Sequence, residues 1–100
     1  MKEDLLKIIK HYGVNAQQRQ LAEEVFELQE AITAYENDYE GLNMGNDTNH
    51  IAEEIADVAV LLNQFIDYYD LDSEKIQEIA NYKIRRQLER IKNEVKEWKK

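Results

Sequence analysis

Two eight-residue segments with one shared pattern decide the fold of this chain. Residues 21–28 read LAEEVFEL and residues 51–58 read IAEEIADV, and only Phe26 and Ala56 differ in character between the two. Around each segment, apolar residues recur at alternating steps of four and three, which predicts an amphipathic helix. The predicted inward positions are Leu21, Val25, Leu28, Ile32 and Tyr35 in one helix, and Ile51, Ile55, Val58, Leu62, Phe65 and Tyr69 in the other, where Ala59, Val60, Leu61 and Ile66 widen the apolar face. Either an ancestral duplication or convergence on one local function would account for the repeat.

The flanking sequence predicts two further helices. Three glycines and no proline interrupt the 100 residues, a composition that favours helices. A short helix is expected to stop at an αL Gly13, and Asn15 is expected to cap the next helix. Residues 37–49 are rich in Asn, Asp and Gly and predict a loop, and the residues expected to cap helices after it are Asp47, Thr48 or Asn49, and Asp72 or Ser73.

The last predicted helix carries a narrow apolar seam. Its positions again alternate in steps of four and three, and they are Ile84, Leu88, Ile91, Val95 and Trp98. Such a seam suits a helical partner, for which a second subunit is one candidate. The pattern as a whole predicts an all-α fold of about four helices, forming a single domain over residues 1–100.

The charge of the chain is divided into blocks. The formal net charge is −8, and residues 20–74 hold fifteen Asp and Glu but no Lys or Arg. General binding of duplex nucleic acid depends on cations at the phosphates, so this distribution argues against it. The absence of cysteine excludes a disulfide scaffold, a Cys-ligated zinc site and a catalytic thiol. No apolar run is long enough to span a membrane, and without a signal-peptide pattern a cytoplasmic location is expected.

Both copies of the repeat carry a pair of acidic residues spaced i, i+3. Glu24 and Glu27 form the first pair and Glu54 and Asp57 the second, each at the margin of its apolar stripe. One such pair is commonly a solvated helix face. Two pairs at the same phase, on helices expected to pack antiparallel, predict a cluster of four carboxylates. Such a cluster needs a cation to stay ionised, and Mg²⁺ or Mn²⁺ fits its oxygen ligands.

A di-iron bundle is excluded by the histidine positions. That site needs Glu-x-x-His on two helices. The two histidines here are His11 and His50, and the residues three positions before them are Ile8 and Asp47.

Basic residues on the last helix offer a second candidate feature. Lys83, Arg86 and Arg90 follow steps of three and four and border the apolar sector. Their stems could cover the core edge while the charges reach water, or they could bind phosphates. Lys83 lies closest to the stripe and is the best single candidate for a phosphate contact.

The acidic motif resembles that of a known family. Glu23-Glu24-x-x-Glu27, followed after 26 residues by Glu54-x-x-Asp57, is similar to the EExxE…ExxD signature of MazG-like all-α nucleoside triphosphate pyrophosphohydrolases. The resemblance covers roughly residues 5–92, and Gln20 departs from it where many relatives have Lys. It implies a four-helix, homodimeric or homotetrameric protein. The implied reaction is Mg²⁺-dependent cleavage of a (deoxy)nucleoside triphosphate between the α- and β-phosphates, giving monophosphate and pyrophosphate, with nucleotide-pool housecleaning as a role.

The resemblance also implies roles for individual residues. Glu24, Glu27, Glu54 and Asp57 would be metal ligands, while Glu23 would be a catalytic or outer carboxylate. Glu27 is assigned a catalytic role besides ligation, and Lys83 and Arg86 would bind phosphates. Two other classes stay open: a non-catalytic helical oligomerisation or binding module that keeps the fold, and a generic acidic four-helix protein.

Overall fold

The described part of the chain is entirely helical apart from its connections. The computed structural model describes residues 1–37 and 47–98. Its helices are α1 (Lys2–Tyr12), α2 (Val14–Glu36), α3 (Thr48–Tyr68) and α4 (Ser73–Trp98). No strand occurs within these residues, which confirms the all-α prediction. Of the predicted loop 37–49, residues 38–46 lie outside the described residues.

The helix ends confirm three sequence predictions and correct two. Gly13 does end α1, but its φ of 90° and ψ of 149° place it in an extended, nearly glycine-only region and not in αL. The chain changes direction within that one residue, so α2 begins at Val14, and the prediction that Asn15 is the N-cap was wrong. Asp47 caps α3 by accepting a hydrogen bond from the His50 amide at 2.9 Å. Asp72 caps α4 in the same way, through the amides of Glu74 and Lys75.

The chain divides into two compact units, Met1–Tyr69 and Asp70–Lys100. In the first unit, α3 packs against both α2 and α1. Gln17 near the start of α2 contacts Gln64 near the end of α3, so these two helices run antiparallel, as expected. The prediction of a single domain over residues 1–100 stays a prediction.

The buried face of α2 and α3 differs from the predicted apolar stripe. Gln17 and Ala31 are the buried residues of α2, and Leu61 and Gln64 are those of α3. Five of the predicted inward positions are instead 42–57% exposed, namely Val25, Ile32, Ile55, Leu62 and Tyr69. The inner face of each helix therefore includes polar side chains beside apolar ones, and Glu24, Glu27 and Glu54 come together where α2 meets α3.

α4 forms the second unit's helix and keeps its apolar seam in solvent. Ile84, Leu88, Ile91 and Val95 are 47–60% exposed. On another side of the helix, the Arg86 guanidinium lies 5.9 Å from the ring centre of Tyr82. No helix in the described part of the chain is long and apolar enough to cross a membrane.

Replacing Leu61 and Leu62 separately by Ala tests which face of α3 lies inward. Leu61 is 4% exposed and Leu62 is 48% exposed. We expect Leu61→Ala to lower the free energy of unfolding by about 2–5 kcal/mol, because it removes buried contacts and leaves a cavity. Leu62→Ala is the matched control and is expected to change it far less. Urea unfolding followed by circular dichroism measures both. If both variants lost the same free energy of unfolding at every protein concentration, the assignment of Leu61 to the inner face would be contradicted.

Candidate metal centre

Three of the four predicted carboxylate ligands come together between α2 and α3. Glu24 and Glu27 are one turn apart on α2, and Glu54 faces them from α3. One carboxylate oxygen from each residue lies within 4.8 Å of the other two. The spacing i, i+3 puts the α2 pair on one side of that helix, and the antiparallel packing supplies the third group. The sequence-predicted acidic cluster is therefore present with these three members.

Two of these carboxylates each have one oxygen near a polar side chain and the other without a hydrogen-bond partner. The Gln20 side-chain amide donates a hydrogen bond of 2.8 Å to Glu24 Oε1. His50 Nε2 lies 4.0 Å from Glu54 Oε1, and the Glu54 side chain is 12% exposed. The opposite oxygens, Glu24 Oε2 and Glu54 Oε2, are buried and have no hydrogen-bond partner. Buried carboxylate oxygens are costly to leave unpaired, so both atoms call for a cation or a proton.

Mutual repulsion is visible at Glu27. The neighbouring Glu24 carboxylate is the main cause that raises the pKa of Glu27 above its ordinary value of 4.5, with desolvation and the charges of Glu54 and Asp57 adding to it. A raised folded-state pKa favours folding in the protonated form. The contribution to stability is therefore full below pH 4.5 and is lost as the pH rises through the raised pKa. In the metal-free protein the ionised cluster works against the fold.

The remaining acidic candidates lie around this group. Asp57 is exposed and is not one of the three clustered carboxylates, although its charge acts on Glu27. Glu23 is exposed on α2, next to Glu24. These positions are one turn and one residue, respectively, from clustered glutamates. Their roles as ligand and as catalytic or outer carboxylate remain predictions.

The predicted phosphate-binding residues belong to the second unit. Lys83 and Arg86 are both exposed on α4. They lie three residues apart, so their side chains are neighbours along that helix. Within their own unit, the cationic groups are accessible to an anion, and their predicted phosphate contact stays a prediction.

An open cavity adjoins the carboxylates in the first unit. Its volume is about 390 Å³, and its lining residues are Glu27, Glu30, Ala31, Ala34, His50 and Glu54. The two alanines have small side chains, which leaves space beside the acidic groups for part of a small molecule. The cavity thus offers a place for a ligand that also touches the cluster.

Sequence analysis missed the polar neighbours of the cluster. Gln20 and His50 each stand four residues before the glutamate they approach, a spacing that places them on the same helix face. That spacing could have identified both residues. Gln64 gave no comparable signal, since its partner, Gln17, is on another helix and 47 residues away in the sequence.

No protein-family model, curated protein or solved structure matches this chain. The similarity to MazG-like enzymes therefore rests on the acidic motif and its spacing, and family membership stays a prediction.

Proposed function

We propose that this protein is a Mg²⁺-dependent nucleoside triphosphate pyrophosphohydrolase of the MazG-like type. It would cleave a ribo- or deoxyribonucleoside triphosphate between the α- and β-phosphates, releasing monophosphate and pyrophosphate. The observation that carries the proposal is the pair of buried, unpartnered carboxylate oxygens on Glu24 and Glu54 within the three-glutamate group. A divalent cation bound by these three glutamates would satisfy both oxygens and offset the repulsion among the carboxylates.

The donor set fits a hard cation. Glu24, Glu27 and Glu54 offer only carboxylate oxygens, the ligands that Mg²⁺ and Mn²⁺ take from proteins, and Asp57 is proposed as a fourth donor. Mg²⁺ also retains open positions for substrate phosphates. When bound, the ion would neutralise phosphate charge and make a water molecule more acidic, which is the chemistry that phosphoanhydride hydrolysis needs.

The chain's own residues would then orient substrate and move a proton. Glu23 is exposed beside Glu24 and is proposed to accept the proton of the attacking water. Glu27 is proposed to take part in the reaction besides holding the cation. Lys83 and Arg86 are proposed to bind phosphate oxygens, since both present exposed cationic groups. No side chain is needed as a covalent nucleophile.

A panel of ribo- and deoxyribonucleoside triphosphates tests the proposal. Each nucleotide is incubated with the purified protein, once with Mg²⁺ and once with a chelator, and the products are separated. We expect monophosphate and pyrophosphate in equal amounts, only with the metal, from at least one nucleotide. Release of orthophosphate would contradict the proposed cleavage position. Absence of products from the whole panel would contradict the enzymatic proposal.

A second candidate function is supported by α4. Its apolar positions Ile84, Leu88 and Ile91 are more than half exposed, as expected for a helix that binds another helix. A non-catalytic oligomerisation or binding module would use this face without hydrolysing nucleotides. The same face supports the proposal that the enzyme is a homodimer or homotetramer. Light scattering of wild type and a Leu88→Glu variant measures the assembly, while the nucleotide panel separates the module from the enzyme.

A further inference from the structure

A buried pair of glutamines joins α2 to α3 away from the acidic group. Gln17 is 8% exposed and Gln64 is 2% exposed, and both are more deeply buried than most apolar residues of the two helices. The Gln17 side-chain amide donates a hydrogen bond of 2.8 Å to the Gln64 side-chain carbonyl. A buried amide without a hydrogen-bond partner destabilises the fold. The contact therefore favours one particular pairing of residues, whereas apolar packing tolerates several.

The glutamine contact and the acidic group share one helix register. Glu27 lies ten residues after Gln17, and Glu54 lies ten residues before Gln64. In an antiparallel pair these two glutamates therefore lie at the same level along the helices whenever the glutamines do, and here their carboxylates are close. Ala31 and His50, each four residues further on, line the same cavity. The register set at one end of the pair fixes the geometry of the cluster and of the cavity.

The carboxylates do not select this register by themselves. Both acidic pairs are spaced i, i+3, so a one-turn shift would bring Glu24 opposite Glu54 and still pair two carboxylates. The same shift would place Gln17 beside Leu61 and leave both amides without their partner. Clustered carboxylates also repel one another in the absence of a cation. Polar pairs buried among apolar residues are known to specify helix register at some expense of stability.

We propose that Gln17 and Gln64 are positioning residues that set the register of α2 against α3 and thereby assemble the cation-binding carboxylates before any ion is bound. As a statement about the metal centre, this inference rests on the proposed function. As a statement about register, it stands on the glutamine contact alone.

Leucine replacements separate stability from register. Gln17→Leu and Gln64→Leu each leave the other buried amide without its hydrogen-bond partner, and each is expected to lower the Tm by about 5–10 °C. The double variant removes both amides and is expected to regain much of that loss. It is nevertheless expected to lose the single register and most of the Tm increase that Mg²⁺ gives the wild type. Gln18→Leu, at the adjacent exposed position, is the control and should change neither the register nor the Tm increase with Mg²⁺.

Distances between spin labels report the register directly. The chain has no cysteine, so labels attach only where cysteines are introduced, for which exposed Gln29 on α2 and Asn63 on α3 are suitable. In chelator, the otherwise wild-type protein should give one distance. The double leucine variant should give two or more, separated by about 5 Å for a one-turn shift.

Each outcome has a defined consequence. A broadened distance distribution in the double leucine variant supports the register assignment, whether or not any nucleotide is hydrolysed. A single unchanged distance together with a normal Mg²⁺ response overturns it. If the wild type itself gives no Mg²⁺ response, the metal-centre part of the inference fails with the proposed function, and the distances still decide the register part.

Discussion

Glu54→Gln is expected to lower Mg²⁺-dependent pyrophosphate release by about 1,000-fold. Glu54 is the only member of the three-glutamate group that comes from α3, and its Oε2 is buried without a partner. Glutamine keeps the shape of the side chain but removes the charge that would hold the cation. A bound metal contributes several kcal/mol to stabilising the reacting phosphates, and each 1.4 kcal/mol is a factor of ten in rate.

The neighbouring Glu53 provides the matched control. It undergoes the same change, to Gln, on the same helix, but its side chain is exposed. Glu53→Gln is expected to retain wild-type activity and the wild-type Tm increase with Mg²⁺. In chelator, Glu54→Gln should be at least as stable as wild type, because one of the repelling charges is gone. Near-normal activity of Glu54→Gln, whatever the activity of Glu53→Gln, would show that the three-glutamate group does not take part in the reaction.

The acidic centre was predictable because its signal is local and repeated. Glu24 and Glu27 share a helix face by spacing alone, and the second segment repeats that spacing at Glu54 and Asp57. A short connection then requires antiparallel packing, which brings the faces together. Only the finer arrangement was missed: Asp57 stays exposed outside the three-glutamate group, a difference of side-chain placement that residue type and spacing do not determine.

The inner face of the helices was less predictable. Apolar spacing placed Leu62 in the inward stripe and Leu61 on the same widened face, yet Leu61 is buried and Leu62 is half exposed. Apolar periodicity assumes that polar groups face water. Here Gln17 and Gln64 are buried and satisfy each other across the interface, and this compensation depends on two residues 47 positions apart. A long-range hydrogen bond of this kind leaves no periodic trace in the sequence, so the burial of these two glutamines could not be predicted from apolar spacing.

Nucleotide affinity is expected to fall by about 100-fold, or about 2.7 kcal/mol, when divalent metal is chelated. The chain carries a net charge of −8, and the segment that supplies the carboxylate group has no Lys or Arg between residues 20 and 74. A triphosphate approaching these glutamates without a cation meets like charge, whereas a bound divalent ion would neutralise most of that charge and offer open positions to phosphate oxygens. We therefore expect a bound divalent ion to account for most of the affinity of this acidic protein for a triphosphate.

Titration calorimetry with a non-hydrolysable α,β-methylene triphosphate measures this effect without turnover. The titration is run in Mg²⁺ and in chelator at constant ionic strength, because added salt alone weakens contacts between exposed charges. The matching nucleoside, which lacks phosphates, is the control ligand, and its affinity should be the same in both conditions. Lys83→Gln should weaken the analogue further in Mg²⁺ if that exposed cation contributes a phosphate contact. Equal affinity for the analogue with and without metal would mean that the phosphates bind elsewhere, since glutamates alone repel them.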